Sequence, residues 1–260
     1  MENQFGKLSE LHLHAGFDGE KTILKDVRFT APFKILRPFY ESKDRMTVML
    51  MMASAGIMAG DRQCMHILVD TAAKMDFVSQ AYEKVHRMEE GEAQRQVYVE
   101  VKRGASLYYT PLPILPFRDS AFSSETEVEL EDETSRFLMT EVLACGRASR
   151  EEKFQYRWYK NRVNIRQAGK LIYRDNTCFE PKNWDMSGFG MYEGYTHLAN
   201  MIICNEPKTE EWVSRVREFM DTLEDIDGGV TQNGENLTVI RILGKSGQKL
   251  LDVMRSIQAM

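Results

Sequence analysis

Histidine and cysteine are the side chains best suited to hold a metal, and this chain carries five histidines and four cysteines in 260 residues. His12 and His14 stand two apart, so on a strand their imidazoles share a face and could bind one ion. Cys64 and His66 repeat that spacing. A catalytic zinc site commonly uses three firm protein ligands, oriented by further hydrogen bonds. Nothing in the sequence brings a third ligand to either pair. Solvent-facing histidines are the plainer reading, and a small metal-dependent hydrolase using His12 and His14 stands as the alternative. The methionines at 46, 49, 51 and 52 lie among Val48 and Leu50 and read as core filling rather than thioether ligands.

Two other stretches place charge beside apolar residues. Glu141 lies in Phe137-Leu138-Met139-Thr140-Glu141-Val142-Leu143-Ala144-Cys145, apolar on both strand faces, so the carboxylate is expected inside. A buried carboxylate needs a partner or a raised pKa. Arg147 and Arg150 follow at once. The second stretch is Pro111 to Ser120, with prolines at 111, 113 and 116. Its prolines forbid a helix and exclude the middle of a sheet, yet Leu112, Ile114, Leu115 and Phe117 call for burial. Arg118 and Asp119 end it. This is either a rigid place that holds polar groups or an edge strand with an ordinary ion pair.

Several familiar constellations are missing. Gly244-Lys245-Ser246 resembles the end of a phosphate-binding loop, but Val239 stands where its first glycine belongs. The glycines at 188, 190 and 194 have the wrong spacing for a dinucleotide turn. No G-x-S-x-G nucleophile elbow occurs. The residues therefore fit a binding or assembly protein better than an enzyme.

Short strands must position these groups. Segments 11–13 and 23–29 read as a hairpin, 46–52 as a strand covered on both faces, 64–70 and 76–87 as further strands. In 96–102 Val97, Val99 and Val101 point one way. Segment 126–130 alternates with an outer row Glu125, Glu127, Glu129 and Glu131, a solvated face or a dock for a basic partner. Segments 154–167 and 170–175 read as a hairpin with a basic exposed side: Arg157, Lys160, Arg162, Arg166, Lys170 and Arg174. Turns are expected at 227–229 and 233–234, then a strand over 237–243. Helical spacing appears only late: Trp212, Val216, Phe219 and Leu223 behind a Thr209 cap, then Leu250, Leu251, Met254 and Ile257 behind Ser246.

About fifteen short strands with two helices near the C-terminus predict a mainly β fold, a sandwich, barrel or solenoid. No linker interrupts it, so one domain is expected over 1–260. A net charge of -5 argues against nucleic acid. No apolar run spans a bilayer. Residues 1–7 lack a secretory apolar core, and the cysteines lack C-x-x-C spacing, so a reducing cytoplasm is expected.

Four ordered stretches carry a family resemblance. They are Ser54 to Arg62, ending Gly-Asp-Arg; Ser79-Gln80-Ala81-Tyr82-Glu83-Lys84-Val85-His86-Arg87; Leu115-Pro116-Phe117-Arg118-Asp119-Ser120; and Thr140 to Arg150. Asp175-Asn176 and Gly194-Tyr195-Thr196-His197 extend the match over nearly the whole chain. In this order and spacing the sequence resembles the urease accessory proteins UreD, also called UreH. Ala55 departs from the second glycine that many members have. The resemblance implies an extended, β-helix-like pile of strands and a non-enzymatic role. It implies binding to UreF, recruitment of the GTPase UreG, docking on the urease apoprotein and delivery of nickel to its carbamylated-lysine dinickel site. Cargo must not be trapped, and scattered carboxylates and waters hold divalent ions more weakly than thiolate cages. The expected transit residues are Asp61, Glu83, Glu141 and Asp119, with Arg118, Arg147 and Arg150 as pairing groups. The segment 36–40 and the second helix are the candidate surfaces for UreF.

Overall fold

A computed structural model describes residues 8–42 and 44–260, so the reading of segment 1–7 lies outside the described residues. The chain opens with an antiparallel hairpin, β1 (Leu8–Phe17) and β2 (Thr22–Phe29). Short β3 (Phe33–Ile35) and β4 (Phe39–Tyr40) both pair with β5 (Arg45–Met52). The chain then winds between two sheets. β6 (Arg62–Val69), β9 (Ala93–Val101), β12 (Ala121–Leu130) and β14 (Trp158–Gln167) join β1 in sheet A. β7 (Lys74–Ser79), β10 (Ser106–Thr110) and β13 (Arg136–Ala144) join β5 in sheet B. Neighbours in these series are parallel. Parallel strands usually need a helical crossover. Here the crossover is a strand of the opposite sheet, so the sequence shows strand after strand.

The coil has a short third side. β8 (Glu83–Val85) pairs with β11 (Ile114–Pro116), β11 reaches β13, and Ile57 bridges Val85. Antiparallel strands finish both sheets: β15 (Lys170–Phe179) on sheet A, and β16 (His197–Cys204), β17 (Ile226–Asn233) and β18 (Leu237–Gly244) on sheet B. Among the described residues sheet A has 7 strands and sheet B 11. The mainly β, helix-like pile with two late helices is the architecture observed.

Strand alternation fills the space between the sheets with Leu11, Met65, Val97, Phe77, Leu107 and Met139, all buried. The outer face of sheet B buries Leu138, Met201 and Ile240 against α1 (Glu210–Asp221) and α2 (Gly247–Ala259). Thr209 caps α1 by accepting the Trp212 N–H at 3.1 Å, and Ser246 caps α2. α1 turns Trp212, Val213, Val216 and Met220 inward, each worth roughly 2 kcal/mol of burial. No helix among the described residues is long and apolar enough to cross a membrane.

Local expectations fail where pairing overrides composition. Gly228 and Gly229 lie inside β17 rather than in a turn, because Gly228 packs so tightly that a Cβ would stand 2.7 Å from the Arg241 carbonyl oxygen. The expected strand over 76–87 is two strands, broken between Ser79 and Glu83 where the chain turns onto the third side. Residues 154–157 precede β14 instead of joining it, and β15 runs on to Phe179. Met49 and Met51 are only half-buried, because among the described residues no helix covers the outer face of β5, and Met52, on the inward parity, is half-buried at the end of the strand.

Candidate functional site

Pairing in sheet A aligns six polar residues in one row. Ser9 lies opposite Gln63, Gln63 opposite Arg95, Arg95 opposite Ser124, Ser124 opposite Asn161, and Asn161 opposite Thr177. The row faces sheet B, because these residues share the inward parity of Val97, Val99 and Val163. In sheet B a second row faces it: Glu141 lies opposite Asn200, and Asn200 opposite Arg241. A polar layer thus crosses an otherwise apolar interior.

Two close contacts join the layer to the rest of the coil. Glu83, from β8, holds Arg95 in a doubly hydrogen-bonded ion pair at 2.5 and 2.7 Å, both side chains buried. Gln63 Oε1 accepts two further N–H groups of the same guanidinium, at 2.9 and 2.7 Å. Burying a charge is costly unless it is paired, and here the fork of Arg95 is nearly fully paired. About two strand spacings away, some 10 Å, Asn161 Nδ2 reaches across the sandwich to both Glu141 oxygens at 3.0 and 3.1 Å. Beyond Asn200, Arg241 pairs with Asp175 of β15 at 2.8 Å.

Glu141 is the sensitive group. Burial, with the nearby Asp175 charge, pushes its pKa up to about 7, against the opposing effects of Asn161 and Arg241. The side chain is nevertheless only half-buried, as for a group lining a space rather than sealed in packing. On either side, Asn161 Oδ1 and Asn200 Oδ1 are buried without a hydrogen-bond partner in the protein. Orphaned buried acceptors of this kind ask for water or a cation. A carboxylate and two amide oxygens are hard donors, able to hold a hydrated divalent ion weakly.

The layer reaches a surface cavity at each end. One, of about 520 Å³, is lined by Asp175, Arg241, Tyr192 and Asp227. The other, of about 170 Å³, is lined by Glu83, Tyr82, Gln80 and Gly56.

Of the residues singled out in the sequence, Glu83 and Glu141 belong to this layer; the others do not. Asp61 accepts the Met58 N–H at 2.8 Å and closes its own turn. Asp119 stands in a loop, 3.4 Å from Arg87. Arg118 does not pair with Asp119; its Nε donates to Gln155 at 2.6 Å. Arg147 forks onto Glu152 at 2.7 and 2.6 Å and lies 4.0 Å over the Phe117 ring. Arg150 is exposed on a single 3-10 turn. Arg118 and Arg147 tie down the third side, where the four stretches that carry the resemblance come together: His86 N–H bonds the Ile57 carbonyl and Phe117 N–H the Val85 carbonyl, each at 2.9 Å. The charges that neighbour the acids of the layer are instead Arg95 and Arg241. The strand of Val97, Val99 and Val101, continued two residues back, points to Arg95. Asn161 and Asn200 carry the same signal as polar residues on the inward parity of apolar strands.

The histidine pair is divided. His14 bonds Asp70 at 2.7 Å, while His12 stacks on His66 with centroids 4.8 Å apart. Among the described residues no three of His, Cys, Asp and Glu converge to hold a metal. The acidic and basic rows also find each other: β12 and β14 are neighbours, and Glu125 meets Arg162 at 3.2 Å. The two candidate UreF surfaces prove to be two walls of one groove of about 400 Å³, with Phe39 and Glu41 on one side and Leu251, Met254 and Arg255 on the other.

The architecture is a two-sheet parallel coil with a polar layer through its interior and helices on one face. Residues 7–260 match the family model described as UreD urease accessory protein, and the chain belongs to that family. A urease accessory protein UreD of Acetivibrio thermocellus is 38% identical over 99% of this chain and 98% of its own length. A urease accessory protein UreH of Helicobacter pylori is 34% identical, covering 98% of this chain and 95% of the relative.

Proposed function

We propose that this chain is a urease maturation factor: a cytoplasmic, non-enzymatic scaffold that binds UreF, recruits UreG through it and docks on the urease apoprotein. Its cargo is nickel, passed along the interior polar layer between the Glu83 cavity and the Asp175–Arg241 cavity. Family membership supports the role in urease maturation. The observation that carries the transit reading is the set of Glu141 with two unpartnered amide oxygens. Such a site can exchange water for a divalent ion without gripping it. The Glu83–Arg95 pair is neutral overall, so it adds no net charge to the path. The groove between Phe39 and α2 is the surface assigned to UreF, because a helix laid there would extend the helical cover of sheet B.

The test is Glu141→Ala in cells that express urease. Expected is a severalfold fall in urease nickel content and activity, with UreF and UreG still recovered in a pull-down. Normal nickel occupancy with the complex intact would rule out this path.

A further inference from the structure

The outer face of sheet A holds a second group of metal-ligating side chains, which the interior layer does not use. Cys64 and His66 are outward neighbours on β6, and Cys64 Sγ lies 3.3 Å from His66 Nε2. Strand register stacks the His66 ring between His12, at 4.8 Å and 2°, and Tyr98, at 4.9 Å and 17°. The imidazole is thus fixed in plane, with its Nε2 edge turned to the thiol. Glu10 lies opposite Cys64 on β1, and its charge acts on both groups.

We propose that Cys64 and His66 form an exchangeable landing site for a borderline divalent ion of the nickel, cobalt and zinc type. The spacing fits. With bonds of about 2.3 Å to sulfur and 2.0–2.1 Å to nitrogen, adjacent ligands stand about 3.1 Å apart at a right angle and about 3.6 Å apart in a tetrahedron. The observed 3.3 Å falls between, so an ion enters with shifts of a few tenths of an ångström. One thiolate and one imidazole select such ions over magnesium or calcium. The ion takes the place of the thiol proton: the S–H bond breaks, the metal–sulfur bond forms and the proton leaves to solvent. Two protein ligands with water filling the other positions bind weakly and release readily. No third ligand converges there among the described residues. The site lies across the sheet from Gln63, and its existence does not depend on the interior path.

The experiment is a titration of the full chain with cobalt(II), read by thiolate-to-metal charge-transfer absorption, followed by competition with nickel and zinc. Expected is one thiolate band that saturates at one cobalt per chain. Cys64→Ser should abolish it, and His66→Gln should weaken binding at least tenfold. Cys178→Ser changes the other solvent-accessible thiol and should leave the band unaltered. Circular dichroism of each variant checks the fold. Absence of the band up to millimolar cobalt, or a band that follows Cys178 instead, overturns the proposal.

Discussion

Replacing Glu141 by glutamine keeps the shape and removes the titration, so it isolates the cost of a carboxylate in the polar layer. The unfolded carboxyl loses its proton near 4.5 and the folded one near 7, so the folded state binds more protons between those values. Stability from this group is then full below 4.5 and lost as pH rises through 7. At about 1.4 kcal/mol per pH unit, the ionised side chain costs the wild type about 3 kcal/mol above neutrality. For a chain of 260 residues that is about 5 °C in Tm. Thermal unfolding of both proteins at pH 5 and pH 8.5 measures it, the difference between them cancelling other titrating groups. The variant should match the wild type in acid and exceed it by about 5 °C in base. An offset that does not change with pH, or a variant less stable in base, would show that Arg241 already compensates the carboxylate and that the layer is no strained cation site.

Glu83→Gln should cost about 3–5 kcal/mol by stranding the Arg95 guanidinium inside. Glu83→Met combined with Arg95→Met should cost less than either change alone; urea midpoints that simply add would mean the pair is not coupled. Gly56→Ala should destabilise by on the order of 2 kcal/mol, since φ is +150° and a Cβ would stand 2.5 Å from the Lys84 carbonyl oxygen. A melting temperature within a degree of the wild type would mean that the turn yields.

Much of the fold is legible along the chain because it is local. The caps Thr209 and Ser246, the spacing of Trp212, Val216 and Met220, and the alternation through Val97, Val99 and Val101 need only neighbouring residues. Glu141 is legible for the same reason: its apolar neighbours leave a carboxylate no outer face. The site as a whole is not local. Gln63, Arg95, Ser124 and Asn161 are each 29 to 37 residues from the next, and only register makes them one row. Asp61 and Asp119 are singled out by resemblance rather than by their neighbours, and they stand on a turn and in a loop outside the layer. The acidic row of β12 and the basic row of β14 each resemble a free charged surface until the coil sets them side by side.

The coil itself explains how a polar path can exist in a protein held together by burial. Each turn adds one strand to each sheet, so a polar residue at the same height on successive turns extends a line across the molecule at one strand spacing per turn. The rows above and below stay largely apolar: Leu11–Met65–Val97, interrupted by Thr126 before Val163, on one side and Ala93–Phe122–Tyr159 on the other. Polar cost is confined to one layer, which is met by the Glu83–Arg95 pair at one end and the Asp175–Arg241 pair at the other. Between them Asn161 and Asn200 leave buried amide oxygens without a partner, beside the Glu141 carboxylate. That middle section is where a passing ion would find ligands.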